Sequence, residues 1–170
     1  MNSHLLFDFS VQKENHTITV KRAFAACLEL VWAAWTTPEI LDRWWAPKPY
    51  LTQTKSMEFR VGGRWLYSMV SPEGARHWCR ADYKAIDPLK SYSALDSFCD
   101  EYGNTTEPFP NSLWANTFME NGDTTTVDIL ITYKDLADLE KIIQMGFKEG
   151  FTMAMGNLDE VLEAQAKSAK

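Results

Sequence analysis

A chain of 170 residues, 45% of them hydrophobic and 24% charged, has the material for one core. Chains near this length bury roughly 70% of their unfolded surface, which excludes disorder as the main state. A formal charge of -6 excludes the basic, counterion-releasing surface of a nucleic-acid binder and argues against attachment to anionic membranes.

Strand patterning begins at once. Phe7, Phe9 and Val11 alternate with polar residues, Gln12 to His16 is polar, and Ile18, Val20 and Arg22 to Phe24 resume an extended pattern, which predicts a β-hairpin. From Leu28 the period changes: Leu28, Val31, Trp32 and Trp35 share one helical stripe. Pro38 ends that helix. Thr37 is the predicted N-cap of a second short helix, with Pro38 at its first position, running through Leu41 to Trp45 until Pro47 and Pro49 stop it. Two short helices joined in a V are expected.

The middle of the chain reads as strands separated by turn residues. Thr52–Val61 and Arg64–Val70 flank Gly62-Gly63, a pair suited to a two-residue hairpin turn. Ser71-Pro72-Glu73-Gly74 predicts the next turn, Arg76–Ile86 the next strand, Asp87-Pro88 a turn and Ser91–Cys99 a strand. A longer loop, Asp100 to Ser112, carries Pro108 and Pro110 around Phe109; it reads as an ordered excursion pinned by Phe109 or as a lid. The strands Leu113–Glu120 and Thr124–Tyr133 follow, with Asn121-Gly122-Asp123 between them. Seven or eight strands on short turns predict one antiparallel sheet.

Beyond Lys134 the helical period returns in Asp135–Met145, with Leu136, Leu139 and Ile143 on one side and Gly146 as the break. A last helix runs from Phe147 to about Ala166, its stripe formed by Phe147, Phe151, Ala154, Leu158, Val161 and Leu162. The fold class is therefore α+β, a curved antiparallel sheet of about seven strands around a long C-terminal helix with two short helices in a V. A sheet gripping one helix tends to leave a gap, and such gaps hold small molecules. One domain spans residues 1–170, with 1–16 an additional N-terminal strand or extension.

Chemistry-bearing motifs are sparse. Cys27, Cys79 and Cys99 are odd in number and widely spaced, so they read as reduced, buried thiols. His4, His16 and His77 have no ligand-like spacing, and no metal, cofactor or catalytic residue is assigned. Asp82, Asp96, Asp100 and Glu101 would supply an acid or base only if one faced inward; solvation is the default on strands. Alternation places Trp65, Tyr67 and Met69 on one inward face, and Trp114, Asn116 and Phe118 on another, converging on Phe151 and Met155 of the last helix. These eight are the candidate ligand-binding residues: an aromatic, Met-lined pocket in which Asn116 and the Tyr67 hydroxyl orient a mainly apolar guest, or a ring-rich core in which Asn116 bonds to backbone. The N-terminus lacks a basic n-region and no stretch approaches the roughly 20 apolar residues of a membrane helix, so a cytoplasmic protein without membrane insertion is expected. A two-fold homodimer is the expected form of any self-association.

Three segments carry a family resemblance. Val31-Trp32-Ala33-Ala34-Trp35-Thr36-Thr37-Pro38-Glu39-Ile40-Leu41-Asp42-Arg43-Trp44-Trp45-Ala46-Pro47 resembles the helical V of the activator-of-heat-shock-protein-ATPase-like domains, within the START-like or SRPBCC helix-grip superfamily. Gly62-Gly63-Arg64-Trp65 with Met69, and Met145-Gly146-Phe147-Lys148-Glu149-Gly150-Phe151, are similar to two further signatures, so the likeness covers about Thr17 to Leu162. It implies a seven-stranded sheet on a C-terminal helix with a hydrophobic cavity between them. Relatives include lipid, hormone and polyketide binders, some cyclases and the chaperone activator, whose separate N-terminal chaperone-binding domain a chain of this length is not expected to hold. The resulting expectation is non-catalytic binding of a small apolar or aromatic molecule, lipid- or polyketide-like. The alternatives are a cyclase or aromatase using a pocket acid or amide such as Asn116, and a stress-related chaperone-associated protein.

Overall fold

Ring-and-polar alternation builds the first two strands, Phe7–Gln12 (β1) and Thr17–Phe24 (β2), paired antiparallel with Phe9 opposite Val20. The computed structural model describes residues 5–105 and 111–168. Within them lie β3 (Leu51–Met57), β4 (Arg64–Val70), β5 (Arg76–Asp87), β6 (Ser91–Phe98), β7 (Ser112–Asn121) and β8 (Thr124–Tyr133). One antiparallel sheet of eight strands results, in the order β1-β2-β8-β7-β6-β5-β4-β3. The N-terminal segment thus adds an edge strand beside β2. The lid or pin expected at Pro108, Phe109 and Pro110 lies outside the described residues.

The hairpin of β3 and β4 forms with a different turn. The strand stops at Met57 rather than Val61, and the whole of Glu58–Gly63 makes the connection. The cause is β5: Gly62 N–H donates to the Tyr83 carbonyl and Tyr83 N–H to the Gly63 carbonyl, both at 3.0 Å, which pulls the glycines off the hairpin axis. Gly62 adopts φ +86°, and a Cβ on Gly63 would run into the carbonyl oxygen of Glu58. The turns at Ser71–Gly74 and around Gly122 form where predicted.

Helices α1 (Leu28–Thr36) and α2 (Pro38–Trp44) make the V. Thr37 occupies the N-cap position of α2, but only its carbonyl serves, accepting from the N–H groups of Ile40 and Leu41; its side chain makes no cap bond. The V is locked instead by Trp44, whose Nε1–H donates to the Ala34 carbonyl at 3.0 Å and whose ring meets Trp35 edge-on at 4.9 Å. Helix α3 (Leu136–Gln144) is capped by Asp135, which accepts from the Asp138 N–H at 2.9 Å, and buries Leu139 and Ile142 while Leu136 stays exposed. Gly146, at φ +90°, separates it from α4 (Phe147–Ser168).

Helix α4 crosses the concave face of the sheet. Phe147 meets Phe9 of β1 and Trp114 of β7, and Asp159 takes an ion pair from Arg22 of β2, whose guanidinium also lies over Phe7 and Phe24. Asn157, buried, donates from Nδ2 to the carbonyls of Trp44 and Ala46, tying α4 to the V. Phe151, Ala154, Met155, Leu158, Val161 and Leu162 are all buried. Two thiols, Cys79 and Cys99, are buried as expected; Cys27 is exposed because it caps the open end of α1. No described helix is long and apolar enough to cross a membrane.

Candidate functional site

The gap expected beneath α4 is filled. Met155 and Leu158 are 0% exposed and Ala154 is 1% exposed, so the helix itself occupies the concavity of β2 and β8. A hollow does exist, displaced toward the V: it lies between Trp35, Leu41 and Trp45 above and the inward faces of β4 to β7 below.

Register explains its position. One rung of the sheet runs Trp65, Ala81, Asp96, Ser112 and the next Tyr83, Ala94, Trp114, each opposite its neighbour across the strands. Two alanines therefore sit on adjacent rungs among tryptophans and tyrosines. Rings packed edge to face cannot interdigitate over side chains that short, and the shortfall is the hollow. Its volume is about 30 Å³, room for about two waters by the usual requirement of roughly 10–15 Å³ each. Pockets that swallow a drug-sized ligand run to roughly 300–1,000 Å³, so this one, as it stands, is nearly closed.

Of the eight residues expected to line a pocket, Trp65, Trp114 and Asn116 do. Tyr67, Phe118 and Phe151 stand one layer behind. Tyr67 stacks on Trp65 at 3.9 Å, Phe118 meets Trp35 at 6.1 Å, and Phe151 meets Trp45 and Trp114. Met155 belongs to the solid core under α4, and Met69, half-buried, pairs with His77 far along β4. Sequence reasoning missed Trp35, Leu41 and Trp45 from the V, and Tyr83, Tyr92 and Asp96 from β5 and β6. The signal for the last two was available, since Tyr92, Ala94 and Asp96 share one parity.

The polar equipment is uneven. Three indole N–H groups are consumed by the protein: Trp45 donates to the Tyr67 hydroxyl at 3.0 Å, Trp65 to Thr54 Oγ1 at 2.9 Å and Trp114 to Ser112 Oγ at 3.0 Å. Asn116, 2% exposed, keeps its Oδ1 without a partner, and so does the Trp35 Nε1. Asn116 Oδ1 therefore accepts nothing from the backbone, and the Asn116 side chain stands within hydrogen-bonding reach of the Tyr92 hydroxyl. Asp96 faces the hollow from β6 with no hydrogen bond or ion pair among the described residues. Burial pushes its carboxyl up to about 7, and the carboxylate of Asp82 on the opposite face of the sheet adds to the rise. Burial likewise raises the Tyr67, Tyr83 and Tyr92 hydroxyls and the Cys79 thiol. At neutral pH these four are uncharged, which leaves Asp96 as the lining group that titrates there. His77 lies exposed beside Tyr50, away from the hollow, and no group of residues fit to hold a metal occurs among the described residues.

Two irregular segments adjoin the hollow. Trp45 is half-buried at the end of α2, where the link to β3 begins. Phe59, on the Glu58–Gly63 connection, closes against Trp32, Tyr83 and Tyr92 at ring distances of 4.8–5.9 Å.

The architecture is shared widely. A protein from Arthrobacter aurescens, solved in solution, matches with a TM-score of 0.87 at 25% identity, over 92% of this chain and 91% of that one. A crystal structure of a protein from Mycobacterium smegmatis matches with a TM-score of 0.84 at 28% identity, over 93% and 96%. CalU16 from Micromonospora echinospora has the same fold at 17% identity and a TM-score of 0.62, over 95% of this chain and 77% of that one. No curated protein sequence matches. The family model described as Activator of Hsp90 ATPase homolog 1-like protein matches residues 25–163, from the last residues before the V to the end of the buried stripe of α4, and the chain belongs to that family.

Proposed function

We propose that this protein binds a small, mainly apolar or aromatic molecule in the hollow between the V and strands β4 to β7, without transforming it. The observation that carries the reading is the conjunction of a ring-walled hollow with a buried acceptor, Asn116 Oδ1, that the protein leaves unpaired. A buried polar atom without a partner costs roughly 1–3 kcal/mol, and a guest with one donor group removes that cost. The volume sets a condition: admission requires the Trp45 or Phe59 side of the wall to swing outward. Both rings sit on or beside irregular connections, where such movement costs least.

A second reading has its own support. Asp96, half-buried beside a nearly closed hollow and with its carboxyl pushed up to about 7, is suited to giving and taking a proton, which favours an enzyme of the cyclase or aromatase kind. Turnover of a carbonyl substrate that Asp96→Asn abolishes without unfolding would select it over a carrier.

The binding reading is tested by ligand-observed NMR with indole, benzyl alcohol and octanoate on the wild type, Ala94→Val and Ala94→Leu. Binding that weakens stepwise as the side chain at 94 grows, in variants that still melt cooperatively, is expected. Absence of any bound probe, or equal binding by all three proteins, contradicts it.

A further inference from the structure

We propose that the hollow selects a small organic cation, an alkylammonium, set with its charge against Asp96 and its carbon groups against the surrounding ring faces. The inference rests on the hollow being a ligand site and adds the charge of the guest.

Rings, a carboxyl and an amide oxygen line the hollow beside the aliphatic Leu41, Ala81 and Ala94. Among the described residues no Lys, Arg or His lines the hollow. The titratable groups within electrostatic reach of Asp96 are Tyr67 of β4, Cys79, Asp82 and Tyr83 of β5, Tyr92 of β6, Tyr133 of β8 and Cys99 just beyond β6. Each of these is neutral or negative, never positive, so among the described residues none in this set supplies a counter-charge. A second oxygen, Asn116 Oδ1, is buried and unpaired in the same lining. Trp45, Trp65 and Trp114 have committed their N–H groups elsewhere and offer the hollow carbon surface. Trp35 alone keeps an unpaired N–H, which suits an oxygen carried beside the cationic head.

Ring quadrupoles present negative faces, and several rings together attract a desolvated cation strongly. A carboxylate or phosphate guest would meet Asp96 as a like charge. A hydrocarbon would leave Asp96 and Asn116 as unsatisfied as they are now. A cationic head offsets the Asp96 charge, an O–H or N–H beside it donates to Asn116 Oδ1, and its methyl or methylene groups lie on the tryptophans. Because the carboxylate form of Asp96 is the one that binds a cation, affinity rises as pH rises through neutrality. A neutral guest hydrogen-bonded by the protonated acid shows the opposite trend.

The test is calorimetric titration with choline and with 3,3-dimethylbutan-1-ol, its uncharged carbon isostere, at pH 6 and pH 8, on the wild type and Asp96→Asn, with indole as a neutral aromatic control. Choline is expected to bind about 10-fold or more tighter than the isostere at pH 8. That preference should shrink at pH 6 and vanish in Asp96→Asn. Equal or tighter binding of the isostere by the wild type overturns the inference, as does indole binding with no response to choline; in both cases the ligand-site reading survives. Failure of all three probes to bind overturns both. The wild-type comparison decides the matter even if Asp96→Asn does not fold.

Discussion

The interior under α4 and the interior under the V share one sheet, yet they are packed on different principles. Beneath α4, the β2 and β8 residues Ile18, Val20, Ile129 and Ile131 close with Met155 and Leu158, each at 2% exposure or less. Branched and flexible aliphatic side chains adapt their shapes until little space is left. Beneath the V, the partners are rings in edge-to-face contact at 4.9–6.0 Å among Trp35, Trp44, Trp45 and Trp65, with two alanines under them. Flat, stiff side chains over short ones leave a residue of space, and there the chain has put an unpartnered carboxyl and an orphaned amide. The lesson is that a single concave surface can be solid under one helix and hollow under another.

The sharpest way to break the comparison is to attack what holds the solid side. Arg22→Ala strips Asp159 of its partner in a largely buried setting, and about 3–5 kcal/mol of stability should disappear in urea unfolding. A loss under about 1 kcal/mol would mean that α4 is held by its apolar stripe alone.

Next in size is the cost that the hollow side imposes. Asp96 titrates at about 7 in the fold, against about 3.9 in an unfolded chain. The folded state therefore holds the proton longer. The stability this gives is complete below pH 4, is lost as pH rises from about 4 to about 7, and stays lost above. Asp96→Asn removes the dependence and should exceed the wild type at pH 8 by about 2–4 kcal/mol, with the two curves meeting near pH 4. Parallel curves across that range would place Asp96 in water.

The smallest effect contrasts the halves directly. Ala154→Leu adds volume under α4, where the site is 1% exposed and packed, and should cost about 1–3 kcal/mol. Ala94→Val adds volume next to the hollow and should change stability by less than about 1 kcal/mol. Equal penalties from thermal unfolding would show that the two sides are filled alike.

The elements on both sides of this contrast are legible in the chain, but the contrast itself is not. Alternation identified the strands, and the 3.6-residue stripes identified both the V and α4. The inward placement of Trp65, Trp114 and Asn116 is legible because their strands alternate cleanly. The rest was hidden for physical reasons. Which helix covers which strands is a long-range outcome, so the cavity was expected under α4 although its roof is Trp35, Leu41 and Trp45. The default for charged strand residues sends Asp96 to solvent, while its parity with Tyr92 and Ala94 points inward. Gly62-Gly63 resembled a hairpin turn, but the hydrogen bonds of both glycines to Tyr83 belong to the next strand and shifted the turn. Beyond Tyr83 a register irregularity in β5 turns Ile86 toward Tyr92, the kind of slip that no alternation rule anticipates.

The most direct measurement is the titration of the Asp96 side-chain carbon by NMR, using protein labelled at its aspartate carboxyls and assigned with Asp96→Asn. A half-buried, unpartnered carboxyl walled by rings predicts a midpoint near 7. A midpoint near 4 would contradict it, placing the group in contact with water or a cation and leaving the V-side hollow no different from an ordinary surface cleft.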